Sequence, residues 1–200
     1  MNVLIVSFYM SNINPDVVAA QRKVMDKFCK HPFTQIKTDK SHAHAMDDYM
    51  TTSRDEVVIF LDIDAIPLSP VAIDRLVWLC GDSIAGAPQR ANHLDNNGHI
   101  YVAPSVMAID ADFYHRIGAP SARPTSMGDV AEEWTHIAER YTKPMYLDII
   151  SVEFPKWELD DRMFGLNTVY GLGGEELFFH AFEGRSKSQQ QRFIEIANAI

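Results

Sequence analysis

Two carboxylates one residue apart, Asp62 and Asp64, close an apolar run in the stretch VVIFLDIDAIPL (57–68). Residues two apart in extended chain project to the same side, so both acids can reach one point. Carboxylates converging at about 4 Å repel, and that repulsion calls for a cation between them. Oxygen ligands with open coordination positions suit Mg²⁺ or Mn²⁺ held partly by a substrate phosphate. The plainer alternative is a solvated turn that carries two acids by accident. The apolar strand before the acids and the Ala65-Ile66-Pro67 turn after them favour the cation site. A strand of this kind ends at the sheet edge where open α/β proteins bind ligands.

The elements that must carry these acids follow from pattern. NVLIVSF (2–8) and VVIFL (57–61) are continuous apolar runs, as expected of strands buried on both faces. Asn14-Pro15-Asp16 opens a helix expected to run to about Lys30. FTQIKT (33–38) reads as a second strand and SHAHAMDDYMTTS (41–53) as a helix. A further helix is expected over 69–80 with Ser69 as its cap. Strand and helix alternate, which predicts an α/β fold with a mostly parallel central sheet flanked by helices. Strands are expected at 83–88 and 100–109, around the polar loop QRANHLDNNGH (89–99). A short helix (110–118) closed by Gly118 and a long loop (119–128) follow. Asp129 to Tyr141 reads as helical, 145–150 as a strand and 157–174 as irregular, with Asp160-Asp161 a solvated turn. A short strand (176–182) and a closing helix (188–200) complete the chain.

With 200 residues, 46% hydrophobic, the chain is expected to form one domain over 1–200. A net charge of −9 argues against broad attachment to nucleic acid or anionic membrane. Cys29 and Cys80 are expected in separate helices as buried thiols of a reducing compartment. The apolar start lacks the basic segment and small-residue cleavage site of a signal peptide, and no run suggests a membrane span. A cytoplasmic protein is the expectation, in a host cytoplasm if phage-encoded.

Two enzyme classes end a strand in this way. Haloacid-dehalogenase-type phosphatases would use Asp62 as nucleophile and Asp64 as general acid. Nucleotide-sugar glycosyltransferases of the GT-A fold use D-x-D to hold a metal on the diphosphate. A binding module that keeps such a fold without catalysis is the third possibility. In order along the chain, HAHAMD (42–47), FLDIDAIPL (60–68), AGAPQR (85–90), YVAPSVMAI (101–109), MGDVAEEW (127–134) and FFHAFEGRS (178–186) resemble the GT-A glycosyltransferases of polysaccharide gene clusters and phages. Ala43 stands where that family has Gly, and Ala103 where a His is common. The resemblance spans roughly residues 1 to 187.

That resemblance implies a Rossmann-like nucleotide-binding half (1–90) and a smaller acceptor and metal-completing half (91–200). It implies that His180 completes a metal shell with Asp62 and Asp64, and an imidazole ligand suits Mn²⁺ better than Mg²⁺. The donor would be a UDP- or GDP-linked sugar. Ser7 and the residues to Asn12 would lie at its base and ribose, with His42, Asp47 and Arg90 as further donor-binding residues. Arg185, Ser186 and Lys187 would neutralise the leaving diphosphate. Asp129 would take the acceptor's proton as general base, with Glu132 and Glu133 as alternatives. Each has a plainer role open to it: a packed strand residue for His180, a helix-start acid for Asp129, a surface ion pair for Arg90, an exposed basic turn for 184–187. Trp157 is the best acceptor contact among the tryptophans; Trp78 and Trp134 suit core or groove. The acceptor could be a small molecule, a polysaccharide end or, less favoured by the acidic balance, a modified base in phage DNA. Asp129 as base favours inversion, whereas a late His followed by Gly and Lys resembles retaining enzymes with one residue more than their usual spacing.

Overall fold

Apolar side chains alternate across the central strands, and the fold is built on both faces of the sheet they form. The computed structural model describes residues 2–54, 56–93, 95 and 97–200. Strands β1 (Asn2–Tyr9), β2 (Phe33–Lys37), β3 (Glu56–Leu61), β5 (Ile84–Arg90), β6 (Ile100–Asp110) and β7 (Met145–Tyr146) make a six-stranded sheet in the order β2-β1-β3-β6-β5-β7. β1 runs parallel to β2 and β3, and β5 parallel to β7. β6 is antiparallel to both its neighbours.

Val3, Ile5, Val57, Ile59 and Leu61 point to one face and pack with α3 (Ala72–Cys80) and Met25 of α1 (Pro15–Phe28). Val6, Val58 and Phe60 point to the other, against α2 (His42–Thr52), α4 (Ala111–Arg116) and α5 (Glu132–Ala138). Period-two alternation with both sides apolar explains why these strands read as unbroken hydrophobic runs. The buried Trp134 ring meets Phe60 and Tyr114 edge-on at 5.8 and 5.1 Å.

A second, antiparallel sheet stands beside the first, in the order β4 (Ala65–Pro67), β10 (Glu175–His180), β9 (Arg162–Leu172), β8 (Asp148–Leu159). The closing helix α6 (Lys187–Ala199) covers it together with α1, through Val17, Val24, Ile66, Phe179 and Phe193. No helix among the described residues is long and apolar enough to cross a membrane.

Several expectations are corrected here. Residues 157–174 are not irregular: most lie on β8 and β9, which turn at Asp160-Asp161. Gly165 and Gly171 sit within β9 where no side chain fits. A Cβ on Gly165 would lie 2.2 Å from the Phe154 carbonyl, and one on Gly171 2.1 Å from that of Glu175. Both lie beside register shifts, where glycine permits close backbone approach. Helix α3 begins at Ala72 without a side-chain cap, because Ser69 and Pro70 first form a turn; Ser69 contributes its carbonyl to the Ala72 amide. Helix α5 begins at Glu132, three residues later than expected, since Ala131 adopts a left-handed φ of 62°. Helix α1 stops at Phe28, so Cys29 lies just beyond it; both cysteines are free. Leu94 and Asn96 of the polar loop lie outside the described residues.

The turn between β3 and β4 joins the two sheets, and one buried side chain holds it. Gln21 of α1, fully buried, donates to the carbonyls of Asp62 at 2.8 Å and Ala65 at 2.9 Å. Its own carbonyl oxygen accepts from Gln35 of β2 at 3.0 Å. Gln21→Leu would strand these acceptors in the interior, and a loss of roughly 1–3 kcal/mol is expected. Urea unfolding measures it; an unchanged midpoint would show that the turn does not depend on the amide.

Candidate functional site

The buried strand β3 carries Leu61 to the sheet edge, and the next residues form a tight turn. The Asp62 amide donates to Ser105 and the Ala65 amide to Asp62, at 3.0 and 2.9 Å. From there β4 pairs with β10, Ala65 facing His180. The Ala181 amide donates to the Asp64 carbonyl at 3.0 Å. This register brings three charged groups together. His180 Nε2 lies 3.3 Å from Asp64 Oδ1 and 3.7 Å from Asp62 Oδ2. His42, the first residue of α2, approaches Asp62 from the far side at 3.5 Å. One ligand atom from each of Asp62, Asp64 and His180 lies within 4.8 Å of the others.

Two carboxylates and one imidazole in this arrangement suit a divalent cation with open positions. Exposure grades across the trio: the His180 and Asp64 side chains are 4% and 9% exposed, that of Asp62 30%. The buried pair would anchor an ion and Asp62 would face incoming ligand. His180 Nδ1 is buried with no hydrogen-bond partner among the described residues, so no contact ties its proton to that nitrogen.

The chain then returns over the trio. Phe182 and Glu183 both take left-handed φ values, 57° and 49°. Such backbone costs on the order of 1–3 kcal/mol per residue and persists where its surroundings impose it. The Phe182 ring lies against the His180 ring, centres 3.8 Å apart and planes tilted by 39°, and Glu183 pairs with Lys156 of β8. Gly184 lies against Asp64; a Cβ there would come within 2.6 Å of Asp64 Oδ2. Any side chain at 184 would have to push the Asp64 carboxylate aside.

The trio opens on a cleft of about 680 Å³. Phe8, Tyr9, Met10, Asn12 and Ile13 line one part of it, after β1. Lys40, Ser41 and His42 line a second part, and Tyr101, Asp129, Val130 and Arg185 the opposite side. The Tyr101 phenol donates to Asp129 Oδ2 at 3.3 Å, and the Val130 amide to Oδ1 at 2.7 Å. Burial, and then the charges of Asp129 and Glu132, push the Tyr101 phenol well above its ordinary value, so it stays protonated and donating.

Asp62, Asp64, His180, His42, Asp129 and Arg185 therefore meet around one cleft. Other expected residues do not. Ser7 is fully buried beneath the cleft floor, because its place in β1 turns it inward. Asp47 accepts from Ser121 Oγ and the Ala122 amide at 2.7 and 2.6 Å, so it tethers the 119–128 loop instead of facing the cleft. Arg90 lies at the end of β5 in a neighbouring groove. Ser186 precedes α6 and its hydroxyl bonds to Ser188, while Lys187 begins that helix; neither lines the cleft. Glu132 is fully buried: Oε1 meets His99 Nδ1 at 2.8 Å and Oε2 accepts the Asp129 amide at 2.8 Å. It supports Asp129 and does not face the cleft. Lys40, Tyr101 and Gln21 escaped the sequence reading. Their positions depend on strand pairing and loop return, and only the helical periodicity of Gln21 could have hinted at burial.

His99, Glu132 and His136 form a second group with ligand-type atoms within 4.8 Å. The His99 and His136 rings stack at 3.6 Å and 8°, so their in-plane lone pairs run in parallel and do not converge on one point. This group is an ion-pair network that ties His99, just before β6, to α5.

Neither a protein-family model nor a curated protein matches the sequence. Among solved structures, the fold is similar to that of the mannosyltransferase PcManGT from Pyrobaculum calidifontis, solved with GDP-Man and Mn²⁺. The TM-score is 0.52 at 10% identity, covering 72% of this chain and 54% of that one, so this chain spans about half of that protein's length. A putative glucose-1-phosphate thymidylyltransferase from Bacillus anthracis, in complex with a sucrose, gives a TM-score of 0.54 at 10% identity, over 100% of this chain and 96% of that one. These likenesses bear on fold: a central sheet flanked by helices, as in GT-A-like proteins.

The network has a pH signature. Burial opposes charge on His99, but the hydrogen bond it donates to Glu132 and the charge of Glu139 prevail and hold its pKa above 6.5. A group raised on folding stabilises most below its unfolded pKa, near 6.5, and loses that contribution as pH rises through the folded value. The melting temperature of the wild type should exceed that of His99→Gln most at pH 6 and by progressively less toward pH 9. A pH-independent difference would show that His99 acts through packing alone.

Proposed function

We propose that this chain is a metal-dependent glycosyltransferase that moves a sugar from a nucleotide-sugar donor to an acceptor hydroxyl. The convergence of Asp62, Asp64 and His180 at the mouth of a large cleft carries this reading. A divalent cation held by these three, Mn²⁺ or Mg²⁺, would neutralise the donor diphosphate and make it a better leaving group. The imidazole ligand favours Mn²⁺. Two solved structures of similar fold, one holding GDP-Man and Mn²⁺ and the other a putative nucleotidyltransferase, support a donor of nucleotide-sugar type.

In this reading the segment after β1, from Phe8 to Ile13, takes the base and ribose. Lys40 and Arg185 lie where their charge would meet phosphate oxygens, and His42 steadies Asp62. Asp129 stands across the cleft as general base, its carboxylate oriented by Tyr101 and the Val130 amide. Inversion of configuration follows from a base in that role. The division of labour is a nucleotide-binding half over 1–90 and an acceptor and metal-completing half over 91–200, the six-stranded sheet drawing strands from both.

Nucleotidyl transfer is the second reading, favoured by the whole-length fold match to the thymidylyltransferase. The products separate the two. A glycosyltransferase incubated with donor and metal releases nucleoside diphosphate and sugar, whereas a nucleotidyltransferase breaks the donor only when pyrophosphate is supplied.

GDP or UDP should raise the melting temperature only when Mn²⁺ is present, by the equivalent of roughly 2.7 kcal/mol at 100 times the dissociation constant. Asp64→Ala should abolish that shift with little loss of stability, since it removes one of two repelling acids. Equal shifts with and without metal would sink the metal bridge.

Asp129→Asn should keep the nucleotide shift and slow transfer by roughly 10² to 10⁴, the worth of a positioned base. Transfer at the wild-type rate would remove Asp129 from the chemistry.

A further inference from the structure

A second groove, of about 330 Å³, adjoins the main cleft. Gln89, Asp129, Phe182 and Glu183 border both, so the two spaces meet at the proposed base. The aromatic side of this groove is built from both strands of the β8–β9 hairpin and the strained return at Phe182. Trp157, Phe164 and Phe182 form a triangle with ring centres 5.3, 5.5 and 5.8 Å apart. Phe164 is buried, while Trp157 and Phe182 are half-buried and reach the groove. The same groove is lined by planar polar side chains: Gln89, Arg90 and His93.

We propose that this groove binds a carbohydrate acceptor, with a sugar ring against Trp157 and its hydroxyl rim toward Gln89, Arg90 and His93. The inference rests on the glycosyltransferase reading and names its acceptor class. A pyranose ring has one face of C–H bonds and a rim of hydroxyls. An aromatic surface takes the first at little entropic cost, and planar amide, guanidinium and imidazole groups take the second with paired hydrogen bonds. The charge pattern opposes a nucleic-acid acceptor. Asp129 and Glu183 border the groove, Arg90 is its one fixed cation among the described residues, and the chain carries −9 overall. A hydroxyl presented at the junction gives its proton to Asp129. Its oxygen bonds to the anomeric carbon of the donor, whose bond to the nucleoside diphosphate breaks with the electron pair leaving on the diphosphate.

Saturation-transfer NMR with a defined mixture of methyl glycosides of glucose, galactose, mannose and N-acetylglucosamine tests the site without knowledge of the natural acceptor. The wild type should saturate ring protons of at least one glycoside. Trp157→Ala and Arg90→Ala, at an aromatic and a polar lining residue, should each weaken its affinity by about tenfold or more. Asp64→Ala should leave that saturation in place, because it lies in the neighbouring cleft. Trp157→Phe, which keeps a ring, replaces Trp157→Ala if the latter unfolds. No saturation of any glycoside by the wild type, equal affinity in all groove variants, or loss in Asp64→Ala would each overturn the proposal. The GDP–Mn²⁺ melting shift, read on the same samples, reports the donor side separately. If that shift is missing while Trp157-dependent glycoside binding persists, the glycosyltransferase reading fails and the sugar subsite stands.

Discussion

Asp62 and Asp64 would drift apart if their mutual repulsion were the only force on them. Three features hold them together with His180. The pairing of β4 with β10 sets Ala65 opposite His180, and the Ala181 amide grips the Asp64 carbonyl. Gln21 clamps the turn from beneath through two carbonyls. Gly184 approaches Asp64 so closely that no larger residue fits without moving it. Burial of Asp64 and His180 removes water that would screen the group, so its demand for a counter-charge is strong.

The rest of the molecule can be understood as the frame for that point. The six-stranded sheet delivers the acids at the end of its most buried strand. The four-stranded sheet delivers the imidazole. The trio sits where the sheets meet, and the left-handed backbone at Phe182 and Glu183 turns the chain back across it. That strain is offset by contacts: the tilted ring contact with His180, the aromatic triangle with Trp157 and Phe164, and the pair between Glu183 and Lys156. The same return segment lines both grooves, so a single strained turn lies between the acid–imidazole trio and the second groove.

On the far side of the cleft, polar side chains organise loops rather than face ligand. Asp47 pins the 119–128 loop to α2. Glu132 bridges the Asp129 amide and His99, and the stacked His99–His136 pair lies between Glu132 and Glu139. Asp129 is thereby held by neighbours that are themselves charged, and the segment before β6 is anchored to α5.

The local rules of the chain determined a good deal. Continuous apolar runs marked β1 and β3, the Asn14-Pro15-Asp16 start marked α1, and the D-x-D after an apolar strand marked Asp62 and Asp64 as groups that share one point. These are short-range properties: alternation, capping and same-side projection follow from the backbone itself. Residues 157–174 read as irregular but form β8 and β9, where Gly165 and Gly171 serve close strand approach, which depends on what lies across the sheet. Whether Asp47, Ser7, Glu132 and Arg90 face the cleft was likewise decided by partners distant in sequence: the 119–128 loop, the interior beneath β1, His99, and the neighbouring groove. The likeness of FFHAFEGRS to a family motif implied that His180 joins the two acids, but no local pattern says how; only the tertiary structure decided the means, a strand register across more than a hundred residues that packing fixes.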